Sequence, residues 1–494
     1  MYVIGTAGHV DHGKSTLVKA LTDIDPDRLP EEKAREMTVD LGFAWMTLPS
    51  GREVSIVDVP GHERFIKNML AGVGAIDLAM LIVAADESVM PQTREHLAIL
   101  DILHIRRSLV VITKTDLVDE EMVELVKAEV EDALEGTSFQ DCPMVGVSAY
   151  TGNGLDDLRS ALDRILDNTE ERADLGRPRL PVDRCFSITG FGTVVTGTLI
   201  DGVLAVGQEV ELARSGRRGR IRGLQSHKNK VDHTQPGVRL AVNISGLSRD
   251  DVERGDVLTN PGWLKPIRRL DAKIRMVRGA SHSLRHNQGV TFHLLSSEAT
   301  ARVRLLDADH LGPGTEGWVQ ILLDEPMPMV KGDFFVVRSA EDTLGGGQVV
   351  DPNPRRRHRR FNPDVVERLM MLDEGTDEDI LLTVAEQWGP CNLTTLSRRS
   401  NLSESEVLER IPSLSQDGQV TVLGKLGSDK DAVVYSTQGW AVVKSKAFVA
   451  LQTYHTQNSL RAGVPTQEVR SRLDLPQPIF IRVLAQLREE GMVV

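Results

Sequence analysis

Up to about residue 170, short apolar runs alternate with stretches whose apolar positions recur every three or four residues. Residues 2–6, 54–59, 78–85, 109–113 and 145–147 predict buried strands, while Leu17, Val18, Ala20 and Leu21 mark the first helix. This alternation is that of a doubly wound α/β domain. From Val182 to about Val350 the period shortens to two and glycines become frequent, which predicts two small β-barrels. Residues 361–494 return to helical spacing and repeat. TLSRRSNLSESEVLERIPSLSQDGQVTVL lines up with EVRSRLDLPQPIFIRVLAQLREEGMVV. Each copy reads helix, turn, helix, then strand, the winged-helix order. The second copy reaches Val494 where its wing should begin, so a shortened chain or a degenerate last unit is expected. The expected segments are 1–172, 180–265, 266–350, a basic linker at 351–362, and winged-helix units at 363–440 and 441–494.

The strand-to-helix junction at the start carries chemistry. Gly8-x-x-x-x-Gly13-Lys14-Ser15 is a complete phosphate-binding loop. Its glycines let backbone N–H groups point at phosphate oxygens, and the helix that follows adds its positive end. Lys14 can reach the β- and γ-phosphates and Ser15 can offer a hydroxyl to Mg²⁺. Asp11, His12 and Thr16 complete the loop. One strand later comes Asp58-Val59-Pro60-Gly61-His62. A carboxylate at that strand tip can hold Mg²⁺ through water, and the Gly61 N–H can touch the γ-phosphate. Thr113-Lys114-Thr115-Asp116 follows the next strand. Asp116 can accept from the N1 and N2 donors of guanine, a pattern adenine lacks, and the Lys114 stem can lie along the base. At Ser148-Ala149 a backbone N–H can meet the guanine O6. Thr38 lies in a polar segment between helix and strand, where it can close on Mg²⁺ and the γ-phosphate and release after hydrolysis. In isolation each motif also describes an ordinary turn or capped helix start; their order selects GTP over ATP.

Composition removes other classes. The 494 residues carry a net charge of −13, so no global basic field draws in nucleic acid and any RNA contact must be local. Cys142, Cys185 and Cys391 lie far apart, without metal-ligand spacing, which fits a reducing cytoplasm. No secretory signal or membrane-spanning run is apparent, so a cytoplasmic chain without a membrane partner is expected.

GHVDHGKST, DVPGHE and TKTD together resemble the translational GTPases of the elongation factor Tu group. The resemblance implies that His62 orients the attacking water when the ribosome docks, with Val10 and Ile66 shielding it beforehand. Thr113 in place of the usual asparagine, and the switch sequence MTVDLGFAW, look like the SelB type, the selenocysteine-specific elongation factors. Glu36 departs from the family's glycine before Met37-Thr38. FSITGFGTVVTGT at 186–198 is similar to the opening of domain two, and Arg285-His286-Asn287-Gln288 to a run in domain three. The following Leu294-Leu295-Ser296-Ser297-Glu298 departs from the family pattern.

The family implies a GTPase that delivers selenocysteinyl-tRNA to the ribosome at UGA codons, using GTP/GDP and Mg²⁺ and recycling GDP without an exchange protein. Selenocysteine is ionised at neutral pH, serine is neutral and cysteine mostly protonated, so its pocket should be cationic. The matching positions are Asp183, Arg184 and Arg239, expected as two arginines held by one carboxylate; an ordinary barrel-surface ion pair is the plainer reading. The family also reads an mRNA hairpin through its last winged-helix units. Here residues 361–494 carry more acids than bases, and only 441–494 have a basic excess. The run Arg355, Arg356, Arg357, Arg359 and Arg360 is either a contact for RNA phosphates or a solvated hinge. Two other readings stand beside this one: a general aminoacyl- or initiator-tRNA carrier, and a regulatory GTPase whose tail binds protein or DNA.

Overall fold

The structure, a computed structural model, describes residues 2–27, 38, 40–62, 66–73, 76–105, 107–167, 169, 174–227, 229–340, 342–429, 431–458, 461 and 463–493. Glu36 and the Ile66 side chain lie outside the described residues. The chain forms two compact units, one built from residues 1–329, 333–349 and 353–361, the other from 330–332, 350–352 and 362–494.

The first unit opens with six strands: β1 (Tyr2–Gly8), β2 (Gly42–Thr47), β3 (Glu53–Asp58), β4 (Leu78–Ala84), β5 (Ser108–Thr113) and β6 (Met144–Gly146). They pair in the order β2-β3-β1-β4-β5-β6, parallel except for the β2–β3 pair. β4 and β5 are buried along their whole length, as strands covered on both faces must be. The helices are α1 (Lys14–Thr22), α2 (Ile66–Val73), α3 (Pro91–Ile102), α4 (Glu120–Leu134) and α5 (Leu155–Asp167). Leu17, Val18 and Leu21 of α1 pack with Ile4, Ile56 and Ile82 in one core layer; Val3, Val57 and Leu81 face the other layer.

Eight short strands between Arg179–Pro181 and Val257–Thr259 then form an antiparallel sheet. Its alternating side chains enclose Leu180, Val195, Leu212, Leu240 and Leu258. A closed barrel follows, made of Pro266–Met276, Glu316–Pro328, Ser297–Leu305, Gln288–Leu294, Phe334–Arg338 and Thr343–Pro352.

These three parts are fastened together. The α3 helix lies against the closed barrel. Asp101 accepts from Arg275 at 2.7 Å, Glu95 accepts from Arg338 at 3.0 Å, and Val336 enters the core around α3. Gly346 is required at this seam, because a Cβ there would stand 2.5 Å from the Ile102 side chain. Arg179 and Asp333 join the eight-stranded sheet to the closed barrel at 2.7 Å. Part of the expected basic linker is also fastened to the barrel. His358 is buried against Asp271, and Arg360 donates to the Leu305 and Ala308 carbonyls.

The second unit carries the repeat. Leu393–Ser400 and Glu404–Gln416 have the same lengths, 8 and 13 residues, as Thr466–Leu473 and Gln477–Glu489. Asn401 and Asp474 end the first helix of each pair in the left-handed conformation, at φ 65° and 53°, a position that short polar side chains tolerate. In the first copy, Val420–Leu423 pairs antiparallel with Val433–Ser436 as the wing. The expected division at residue 440 falls inside a 21-residue helix, Thr437–Gln457. No helix is long and apolar enough to cross a membrane among the described residues.

Candidate functional site

The phosphate loop leaves β1 through Gly8, at φ 140°, and enters α1 through Gly13, at φ 80°. A Cβ at Gly8 would stand 2.2 Å from the Ile82 carbonyl oxygen, so β4 dictates the glycine. Asp11 sits exposed at the crest with φ 63°, and Thr16 is exposed in the first turn of α1. Lys14 is buried beneath the loop, its Nζ donating to the carbonyls of Gly8 and His9 at 3.1 and 2.6 Å. Burial lowers its pKa to about 8 despite the charges of Asp58, Asp11 and Asp27.

Oxygen groups converge beside Lys14. Ser15 Oγ lies 2.8 Å from Thr38 Oγ1 and donates to Asp58 Oδ2 at 2.7 Å. Asp27 accepts from Thr38 at 2.9 Å, and Thr6 donates to Asp58 Oδ1 at 2.7 Å. Burial pushes the Asp58 carboxyl up to about 6, opposed by the Thr6 bond and the Lys14 charge. Hydroxyls and carboxylates only, around a buried acid whose charge needs compensation, are the donor set of a hard divalent cation. Mg²⁺ fits the residues present.

Gly61 closes the far side. A Cβ on it would stand 2.5 Å from Lys14 Nζ and 2.7 Å from the Val10 nitrogen, so its backbone abuts both lysine and loop. The half-buried His62 follows directly.

The guanine motif reaches the same loop. Thr113 Oγ1 donates to the His12 carbonyl at 2.7 Å, so it fastens β5 to the phosphate loop. Lys114, at φ 57°, is held by Asp86 at 3.0 Å, and Asp116 is exposed at the mouth. The Ser148 N–H is committed to the Asn153 carbonyl, and Ser148 Oγ accepts from the Thr151 N–H. Of the Ser148-Ala149 pair, the Ser148 N–H is thus already engaged within its own turn. The His12 ring is buried against the Ile82 carbonyl, and burial lowers its pKa to about 4.

Two loop anchors escaped the motif reading. The Gly8 N–H donates to His96 Nδ1 at 3.0 Å and the Val10 N–H to Gln92 Oε1 at 3.0 Å. Both come from α3. A histidine at an otherwise apolar position of that helix, in Met90-Pro91-Gln92-Thr93-Arg94-Glu95-His96, was the available signal.

The expected cationic pocket is built differently from its prediction. Of the two arginines, Asp183 holds Arg239, at 2.6 and 3.1 Å, and it also accepts from Thr196. Arg184 is held instead by Asp40 at 2.9 Å and the Leu41 carbonyl at 2.7 Å, across the domain seam. Both guanidiniums flank the Phe43 ring, Arg239 at 3.2 Å and Arg184 at 5.6 Å from its centre. They line a cavity of about 320 Å³ whose other walls include Trp45 and Phe186. His227 lies on this wall, stacked on Trp45 at 5.1 Å and bonded to Ser55 at 2.9 Å.

A doubly wound phosphate-loop domain with a guanine motif, fastened to two barrels, defines a translational-type GTP-binding protein. Comparison with known families agrees along the chain. Residues 1–168 match the elongation factor Tu GTP binding domain and 192–259 elongation factor Tu domain 2. Residues 271–356 match the beta-barrel domain of the selenocysteine-specific elongation factor, and 449–494 the winged helix of elongation factor SelB. The selenocysteine-specific elongation factor of Desulfomicrobium baculatum is 40% identical over 478 residues, 95% of this chain and 74% of the relative. That of Escherichia coli K12 is 35% identical, over 99% of this chain and 76% of the relative. The chain belongs to the selenocysteine-specific elongation factor family. A crystal structure of bacterial selenocysteine-specific elongation factor EF-Sec shares its fold, with a TM-score of 0.71, 24% identity and coverage of 100% of this chain and 98% of that one. The Methanococcus maripaludis SelB structure with the GTP analogue GPPNHP gives 0.64 at 27% identity, over 72% of this chain and 80% of that one.

Proposed function

We propose that this chain is a GTP-hydrolysing elongation factor that delivers selenocysteinyl-tRNA to the ribosome at UGA codons. The loop from Gly8 to Ser15 holds the phosphates, with Lys14 at the β- and γ-groups. Asp116 selects guanine, and the Ala149 N–H meets its O6. Ser15 and Thr38 would hold Mg²⁺ directly and Asp58 through water, and the ion supplies charge neutralisation on the phosphates. Thr38 and the Gly61 N–H close on the γ-phosphate, and His62 orients the water. The water oxygen bonds to the γ-phosphorus, the bond to the β–γ bridging oxygen breaks, and GDP and phosphate leave. Loss of the γ-phosphate frees Thr38 and Gly61, and with them the barrels that carry the tRNA.

The observation that carries the specificity is the pair of guanidiniums flanking Phe43 at the wall of the cavity. A selenolate there meets fixed positive charge; a seryl hydroxyl gains much less from it. For the tail, an mRNA hairpin is the partner this reading proposes, supported by the winged-helix match at 449–494 and the basic excess of 441–494.

The test is protection of the aminoacyl ester against hydrolysis by the GTP-bound chain, on selenocysteinyl-tRNA and on the same tRNA carrying serine. Protection of the selenocysteine form alone is expected, and Arg239→Ala should weaken it more than any residual seryl binding. Equal protection of both forms would remove the pocket; protection of neither would remove the carrier.

A further inference from the structure

The arginine-rich segment after the closed barrel is not used by the nucleotide site or the cavity. Its backbone is clamped from beneath. His358 Nε2 meets Asp271 Oδ2 at 2.5 Å, with Asp271 fully buried and His358 nearly so. Gln320 donates to Asp271 at 2.9 Å and to the Arg356 carbonyl at 3.2 Å, while its Oε1 accepts from the His358 N–H at 3.3 Å. Two residues on, Arg360 is held by the Leu305 and Ala308 carbonyls and by Asp309. A segment of this composition would stay solvated by default; a buried acid–imidazole pair and a buried amide fix it instead.

The clamp leaves charge facing outward. Arg356, Arg357 and Arg359 are exposed and form no ion pair among the described residues. The charge of Arg357 is felt beneath the strap: Arg304 has its pKa lowered by burial first, then by the charges of Arg357, Arg360 and Arg269. In a chain of net charge −13, three exposed arginines within four residues on an anchored backbone are a local exception. Beside them Phe361 is 55% exposed, with the Arg360 guanidinium 4.6 Å over its ring. Planar guanidinium forks match phosphate oxygens two at a time, and an exposed ring beside them is a surface for a base. That combination favours a nucleic acid over an acidic protein face.

We propose that the clamped strap around Arg356, Arg357 and Arg359 is a binding surface for the phosphodiester backbone of structured RNA. This rests on the chain being an RNA-engaging elongation factor. Such RNA comes from two sources, the tRNA cargo or ribosomal RNA. The preset backbone matters, because arginines on an anchored backbone lose less freedom on binding than those of a loose basic tail.

The experiment uses the full chain with a non-hydrolysable GTP analogue and a triple variant, Arg356→Ala with Arg357→Ala and Arg359→Ala. Affinity is measured against salt concentration in two arms, selenocysteinyl-tRNA and vacant ribosomes. Each phosphate contact contributes about 0.7–0.9 to the slope of log affinity on log salt. The triple variant should lower the slope by about 2 and weaken binding at least tenfold, with nucleotide affinity unchanged as the folding control. The triple lysine variant should keep most of the slope. A drop in the tRNA arm assigns the strap to the cargo, and a drop in the ribosome arm to ribosomal RNA. Unchanged slopes in both arms overturn the strap and leave the carrier standing. A wild-type chain that binds neither RNA overturns both.

Discussion

Arg184 of the second domain donates to the Asp40 carboxylate at 2.9 Å, two residues beyond Thr38, and to the Leu41 carbonyl at 2.7 Å. The segment that carries Thr38, proposed to sense the γ-phosphate, is thereby tied directly to the domain that carries Arg184 and Arg239. Asp40→Ala should leave GDP affinity unchanged and reduce the preference of tRNA for the GTP state by about fivefold to tenfold, the worth of a partly exposed charge-assisted bond. The check is tRNA affinity with GTP analogue and with GDP. An unchanged ratio would show that this bond does not transmit the switch.

Gly61→Ala places a carbon where Lys14 Nζ and the Val10 nitrogen already stand. Overpacking of this kind costs about 1–3 kcal/mol. GTP affinity should fall by about tenfold or more, with GDP affinity affected less because the clash lies on the γ-phosphate side. Fluorescent-nucleotide titration with both nucleotides reads the difference; equal losses would place the damage in the fold instead.

Thr113→Val keeps the shape but removes the donor to the buried His12 carbonyl. An orphaned buried acceptor costs about 1–3 kcal/mol. Because Thr113 fastens the loop rather than touching the base, affinities for GTP and GDP should fall together by about tenfold while discrimination against ATP is kept. Loss of that discrimination would mean that the hydroxyl reads the base.

Burial holds the His96 imidazole neutral down to about pH 3. An unfolded histidine takes up its proton near 6.5, so between 6.5 and about 3 the unfolded chain binds a proton that the folded chain refuses. Stability therefore falls as the pH drops through this window. His96→Gln should flatten that fall by one proton's worth of slope in thermal melts recorded as a function of pH, at the cost of a lower melting temperature near neutrality.

The phosphate loop, the Asp58 turn and the guanine motif were legible because each packs its chemistry into a few adjacent residues between a strand and a helix. Most partners that complete the site were not. His96 meets Gly8 across 88 positions and Arg184 meets Asp40 across 144. Nothing local in the chain encodes which carboxylate an arginine will choose once two domains pack. The one-carboxylate expectation for Arg184 and Arg239 failed for that reason. The anchoring of the arginine run was hidden because His358 is silent in sequence until its partner, Asp271, is known to be buried.

The cavity has one wall of Phe43 and Trp45, on the strand that follows the switch segment, and another of Arg184 and Arg239 on the second domain. A ligand seated there would grip both the strand after Thr38 and the second domain, and under the proposed function the apposition of these two depends on the nucleotide. Free energy is a function of state, so the factor by which GTP improves cargo binding is also the factor by which cargo improves GTP binding. An empty carrier should therefore let GTP go more readily than a loaded one, and the cargo itself becomes the part that keeps the timer wound.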